Sequence, residues 1–460
     1  MASLERLVET LQRAKDGPPC SLREWEMEVI PQTVKKYLEK YELQGTFRSD
    51  QPVNQDQELA DRFFQAGLEL ATEIGLLLVE TETMIKVSRE EILRAIEDAP
   101  DHLDLGEGED RVIMRARSIG DENPPIFGGP LAIQVSEEFY VPLAAGILQS
   151  RDVGVQIGPS IDTIYGRPIY SGTAFETVAG IRENSMRREA QGRAGRPGIA
   201  NEGTASSTTE YGLLGGFAGL TREDNPAIAM ILHPAELKAG AGGLHKIAAA
   251  IGYGGYIDSG TPSMIGDYSG GAEGAALSSI ASMLLHFTVL QADISEYTSY
   301  DIRFDAGIGR HGVWANSVSC QALSRNTHLI KKLIVDQCAG PGTVEILQMS
   351  AAGLIAASAS GASYTIGVRS AGGRFKDYIT PLEHWVLADI FRRAADLSLE
   401  KANELVLYLL SRYEDKLKSP PKGKSFSECF DLKTMQPERE WAVIADDFKR
   451  DLEVHGFPFS

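Results

Sequence analysis

Basic charge is what this chain most lacks. Its 460 residues carry 45 lysines and arginines against 64 aspartates and glutamates, a formal net charge of −19. That balance excludes nucleic acid as a partner, because phosphate backbones are gripped by a basic face. Cysteine is scarce too. The four present, Cys20, Cys320, Cys338 and Cys429, lie far apart and form no Cys-x-x-Cys pair. A disulfide framework and a zinc ribbon are both excluded, and a reducing, cytoplasmic compartment is the expectation. Long apolar runs are missing: no stretch of about 18 residues is both uncharged and apolar throughout, as a bilayer-crossing helix needs, so no membrane span is expected. The N-terminus lacks the apolar core of a signal peptide. Leu4, Leu7, Val8 and Leu11 instead share one helical face, which predicts a short docking helix.

What is present is ordinary globular material, with 43% hydrophobic and 24% charged residues, as in a soluble folded protein. A chain of this length suits one large α/β barrel with additions, or two to three smaller domains. The 46 glycines cluster after apolar runs, where strand-to-helix loops must turn tightly. Residues 1–120 have their own texture. A helical period through 57–75, carrying Leu59, Phe63, Phe64, Leu68 and Leu70, precedes short strands at Leu76–Glu80 and Met84–Val87. Ser88-Arg-Glu-Glu91 is a capping box that opens a helix at 89–98, and Arg111–Arg117 reads as a strand. This region is expected to be an α+β cap on the main domain.

From 121 to 418 short apolar runs alternate with helical stretches. The predicted strands are Ile126–Gly129, Val153–Gly158, Gly198–Asn201, Ala227–Leu232, Gly254–Asp258, Thr298–Arg303, Leu333–Gln337 and Tyr364–Arg369. Helical patterns at 136–150, 173–190, 271–292, 311–330 and 379–415 fill gaps between and after them. Eight β/α alternations predict a (β/α)8 TIM barrel, with a doubly wound sheet as the alternative. The tail, 419–460, holds Pro420-Pro421 and a helix near 437–454, and is expected to be a C-terminal arm on the surface or on a neighbouring subunit.

Barrel enzymes draw their reacting groups from the C-terminal ends of strands and the loops after them. The polar residues at those points are Ser160, Asp162, Asn201, Glu202, His233, Asp258, Asp301, Arg303, Gln337, Arg369 and Ser370, with Tyr165, Tyr211, Tyr253, Tyr256 and Tyr268 near the same rim. Bland roles compete with functional ones. His233 precedes Pro234 and fits a hydrogen-bonded structural histidine, Asp301 and Arg303 have the spacing of an ion pair on one strand face, and Asp258 fits a turn cap. No His/Cys/Asp cluster shows metal-ligand spacing, and no metal is expected. The first strand lacks the His-x-His of bimetal hydrolases, and no predicted strand end offers the inward lysine of a Schiff-base aldolase.

Gln191-Gly-Arg-Ala-Gly-Arg-Pro-Gly-Ile-Ala-Asn-Glu-Gly203 is the most specific stretch. Its Gly-Arg-Pro-Gly tract at 195–198, followed by a strand end, resembles the monomethylamine methyltransferase family. Further matches are Phe127-Gly-Gly-Pro130 with Val135-Ser-Glu-Glu138, Tyr268-Ser-Gly-Gly271, Cys338-Ala-Gly-Pro341 with Ala357-Ser-Ala-Ser-Gly361, and the tail from Pro421 to Lys433. The resemblance implies a TIM barrel that assembles as a homohexamer and hands a methyl group to the cob(I)alamin of a separate corrinoid protein. It also implies that position 202 is where relatives carry pyrrolysine; here it is Glu202. The acidic and amide side chains that hold that residue in relatives fall near Met230, Gly260 and Ile334, and none is kept. No Asp-x-His-x-x-Gly run occurs for holding a corrinoid in this chain, so no cofactor is expected here. The expected activity is methyl transfer from a small methylated amine, quaternary or otherwise activated, with Glu202 as the catalytic group. His233, Tyr253, Tyr256, Asp258, Tyr268 and Arg303 are the candidate donor-binding residues, the tyrosine faces suiting a cation. The alternatives are a non-catalytic barrel that binds an amine or a corrinoid protein, and a genuine monomethylamine methyltransferase.

Overall fold

The computed structural model of the chain describes residues 2–131, 133–203 and 209–459. Eight parallel strands form the centre: β1 Ile126–Gly129, β2 Val153–Gln156, β3 Ala200–Asn201, β4 Ile228–Leu232, β5 Tyr256–Gly260, β6 Ile294–Glu296, β7 Lys331–Ile334 and β8 Tyr364–Ile366. Each pairs with its sequence neighbours, β8 pairs with β1, and a parallel bridge between Glu202 and Ile228 joins β3 to β4. The ring is therefore closed, a TIM barrel. One helix follows each strand: α1 Glu137–Ile147, α2 Ala174–Ala194, α3 Glu210–Leu220, α4 Ala241–Tyr253, α5 Ala272–Val289, α6 Arg310–Asn326, α7 Val344–Ala359 and α8 Pro381–Arg393.

The period-2 alternation of a strand sorts side chains between barrel interior and helix layer. Val155, Ala200, Ile228, Ile294, Ile330, Tyr364 and Ile366 form an interior core separate from the main one. Leu103, Leu105 and Met114 belong to that same core. They come from an antiparallel hairpin, His102–Leu105 with Val112–Arg115, that stoppers the lower end of the barrel, where the strands begin.

A third layer lies outside the helices. The helix Gln57–Ile74 covers α5 and α6, and α9, Leu399–Tyr413, covers α7. Helices covered on both sides are apolar all round. This is why α5 has a mean hydropathy of 1.2 over 18 residues while 89% of it is buried inside the protein. Among the described residues it is the one helix with the length and composition to cross a membrane, and its burial marks it as core. The tail helix α10, Arg439–Val454, packs Trp441, Ala445, Phe448 and Leu452 inward and touches α7 and α8.

Several sequence expectations need correction. The sixth strand is Ile294–Glu296, not Thr298–Arg303; Ser299–Asp301 instead pairs with Ser263–Ile265 as a separate ribbon. The seventh begins at Lys331, because two lysines that look like a solvated strand end are fully buried. The stretch 379–415 is broken into α8 and α9 by a turn at 394–398. The N-terminal helix Leu4–Asp16 docks through Leu7, Thr10 and Ala14, leaving Leu4, Val8 and Leu11 exposed.

Candidate active site

Five side chains make a polar layer inside an otherwise apolar cylinder: Glu202 after β3, Asp258 on β5, Glu296 on β6, Lys332 on β7 and Tyr364 on β8. None is more than 2% exposed. Their placement follows from register. Met230 pairs with Asp258, Glu296 with Lys332 and Lys332 with Tyr364, so the polar positions share the inward face. The Lys332 ammonium pairs with Asp258 Oδ2, and the Tyr364 hydroxyl donates to Glu202 Oε2. Glycine makes room for this layer: a Cβ at Gly128 would strike the Tyr364 hydroxyl, and one at Gly260 would strike Glu296 Oε2.

Three carboxyls thus face one ammonium. Burial, reinforced by the neighbouring Asp258 charge, holds the Glu202 carboxyl well above the usual range, against the opposing pull of Lys332. Glu202 Oε1 and Asp258 Oδ1 each lack a hydrogen-bond donor. Burial and the Asp258 charge therefore favour the protonated form of Glu202, beside the Asp258–Lys332 ion pair. Burial pushes Glu296 up to about 7, with Lys332 opposing. Burial works against the charge on Lys332, but Asp258, Glu202 and Glu296 together outweigh it and raise its pKa.

The sequence candidates scatter around this centre. Glu202 and Asp258 are in it, Asp258 as an interior ion-pair partner and not a turn cap. His233 is 5% exposed on the outer wall, with Nε2 3.4 Å from Ser259 Oγ and its ring 5.6 Å from His286; burial, then Lys246, lowers its pKa to about 3. It does not enter the barrel. Tyr253 ends α4 and Tyr256 opens β5, which puts both at the lower end, opposite the mouth. They are not walls of a pocket over Glu202. Tyr268 lies 5.3 Å below the Lys238 ammonium, beside Glu26 of the N-terminal region. Arg303 is half exposed and forks onto Asp301 at 2.6 and 2.9 Å, the ion pair its spacing suggested. Tyr165 and Tyr211 are exposed, Asp162 pairs with Lys376 at 2.7 Å, and Gln337 donates to the Arg369 carbonyl at 2.8 Å.

Sequence reasoning missed Glu296, Lys332 and Tyr364. The statement that no strand offers an inward lysine is corrected by Lys332, although its ion pair keeps it charged and therefore not nucleophilic. The available signal was Leu329-Ile-Lys-Lys-Leu-Ile334, lysines embedded in an apolar run. Met230, Gly260 and Ile334 do occupy inward positions. The tract before Glu202 serves the scaffold. Arg196 pairs with Asp110 at 2.7 Å and donates to the Ser150 and Val153 carbonyls, and a Cβ at Gly198 would strike the Glu107 carbonyl below the stopper hairpin.

Comparison with known proteins agrees with this geometry. The chain is 28% identical over 452 residues to monomethylamine methyltransferase MtmB2 of Methanosarcina acetivorans, with 97% of both chains covered. MtmB of Methanosarcina mazei gives the same identity and coverage. The crystal structure of Methanosarcina barkeri MtmB superposes with a TM-score of 0.93 at 26% identity, covering 98% of each chain, as does that of a hydroxylamine complex of MtmB. The sequence model of the family described as Monomethylamine methyltransferase MtmB matches residues 6–457. With the family model matched across nearly the whole chain and a solved member superposing on 98% of it, the chain belongs to the monomethylamine methyltransferase MtmB family.

Proposed function

We propose that this protein moves a methyl group from a small methylated amine to the cob(I)alamin of a separate corrinoid protein, working as a homo-oligomer and with Glu202 where relatives carry pyrrolysine. The observation that carries this reading is the inward placement of Glu202 at the end of β3, in a layer of three carboxyls and one lysine. A cation above this layer would stabilise the ionised forms of Glu202 and Glu296, whose pKa values burial raises, and this favours a cationic donor. Leaving-group chemistry points the same way. A neutral amine would depart as a strongly basic amide anion, whereas a quaternary ammonium departs as a neutral tertiary amine and needs no covalent helper.

The interior is filled by its own paired side chains, so a corrin does not fit inside it. The mouth is a better match for a partner carrying one, since Leu232 at the end of β4 and Ile302 beyond β6 expose 54% and 49% of their surface. When docked, that partner supplies the methyl acceptor. This chain's residues bind the donor, exclude water and move one proton: a cation arriving above Glu202 favours its ionised form, so the Glu202 proton leaves.

Methyl transfer from mono-, di-, tri- and tetramethylated amines to reduced corrinoid protein tests the reading. Quaternary donors should turn over, with uptake of donor releasing about one proton in calorimetry across buffers of different ionisation enthalpy. Glu202→Gln, which cannot ionise, should lose that release. Turnover confined to monomethylamine overturns the donor class. A second reading, a non-catalytic amine binder, draws support from the complete burial of Glu202. Saturable amine binding without methyl loss from any donor would select it.

A further inference from the structure

On the outer wall of the barrel, the C-terminal halves of α2 and α3 leave a cleft of about 320 Å3 behind β3. That volume is at the lower end of the roughly 300–1,000 Å3 typical of small-molecule sites. Its lining runs against the trend of the molecule. In a chain of net charge −19, Arg187, Arg188 and Arg222 face one cavity, with Gln191 and Asn201 between them and Leu220 as an apolar wall.

The three guanidinium groups differ in what holds them. Arg187 is fully buried, pairs with Glu183 at 2.8 Å and donates to the Glu202 carbonyl at 2.8 Å, so it is a fixed wall. Arg222 is half exposed and is shared between Glu107 and Asp224 at the rim. Arg188 has no carboxylate partner among the described residues and donates only to the Gly219 carbonyl. Beside them Gln191 Nε2 bridges Gln156 Oε1 at 2.7 Å and Asn201 Oδ1 at 2.9 Å. The fully buried Gln156 keeps an Nε2 with no acceptor. Charge-assisted forks of this kind recognise oxyanions with two or more acceptor oxygens. More than one guanidinium exceeds the need of a monovalent carboxylate and suits a dianion.

We propose that this cleft binds a small molecule carrying a phosphoryl group, held by Arg188 and Arg222, one hydrogen bond away from the backbone of residue 202 through Arg187. The proposal is independent of the methyl-transfer reading, and its readout is binding alone. Titration calorimetry of the full chain at low ionic strength, with inorganic phosphate and with adenosine monophosphate, tests it. At least one probe should bind saturably and more weakly as salt is raised. Tighter binding of the nucleotide identifies an organic phosphate, and binding of phosphate alone an inorganic one. Arg188→Gln should weaken binding roughly tenfold or more, and Arg188→Lys, which keeps the charge but loses the fork, by less. Arg222→Gln, at a half-exposed position, provides the same readout should the first variant fold poorly. Absence of saturable binding by both probes, or unchanged affinity in both glutamine variants, overturns the proposal.

Discussion

Lys331 and Lys332 are neighbours on one strand, equally buried, yet their surroundings treat them oppositely. Lys332 points into the barrel, where Asp258, Glu202 and Glu296 more than offset the burial penalty and raise its pKa. Lys331 points into the helix layer, where Nζ donates to the Arg117 carbonyl at 2.8 Å and the Leu329 carbonyl at 3.2 Å. Burial lowers its pKa to about 8. Carbonyl dipoles satisfy its donors without matching its charge. Partners, not depth, therefore decide whether a buried amine stays charged, and only the inward lysine sits in an electrostatic site.

The contrast is broken most severely at Lys332. Lys332→Met should leave Asp258 uncompensated and cost about 3–5 kcal/mol in urea unfolding, the range for removing one member of a buried pair. Lys331→Met should cost about 1–2 kcal/mol at neutral pH, since two carbonyls lose a donor but no charge is orphaned. It also carries a pH signature. Between about 8 and the ordinary lysine value of 10.5, the unfolded chain holds the Lys331 proton and the folded chain does not. Stability should therefore rise with pH across that window, and the variant should lack this part of the rise. Equal losses in the two lysine variants would refute the comparison. Tyr364→Phe should cost about 1 kcal/mol by removing one donor from Glu202, and should raise the pKa of that carboxyl further, because the hydroxyl favours its charged form. An infrared carboxyl band in the variant checks the direction.

Apolar runs announced most of the barrel. Ile126–Gly129, Val153–Gln156, Ile228–Leu232 and Tyr364–Ile366 all fall within their expected segments. Failure came where the functional layer interrupts the pattern. Ser295 and Glu296 in β6, and Lys331 and Lys332 in β7, imitate solvated ends, so the predicted strands slid past them toward the next apolar residues. Period-2 reasoning cannot distinguish a charge facing water from a charge facing three other charges. The tyrosines failed differently, because proximity to a strand in sequence does not say which end of it is meant. Glu202 became legible only through resemblance, and the tract that carries the resemblance anchors the stopper hairpin. Gly307-Ile-Gly-Arg-His-Gly312 spells a dinucleotide-loop pattern, yet a Cβ at Gly312 would strike the Gly307 carbonyl; the spacing here answers a packing need.

Because Leu103, Leu105 and Met114 close the lower end, the filled barrel leaves Glu202 to be approached only from the mouth. A small molecule that approached Glu202 from there would have to back out by the same route. A protein seated on that opening would confine reactant and spent product alike. Under the proposed methyl transfer, traffic would queue: the small reactant would go in before the lid is set, and what remains of it would come out after the lid has gone.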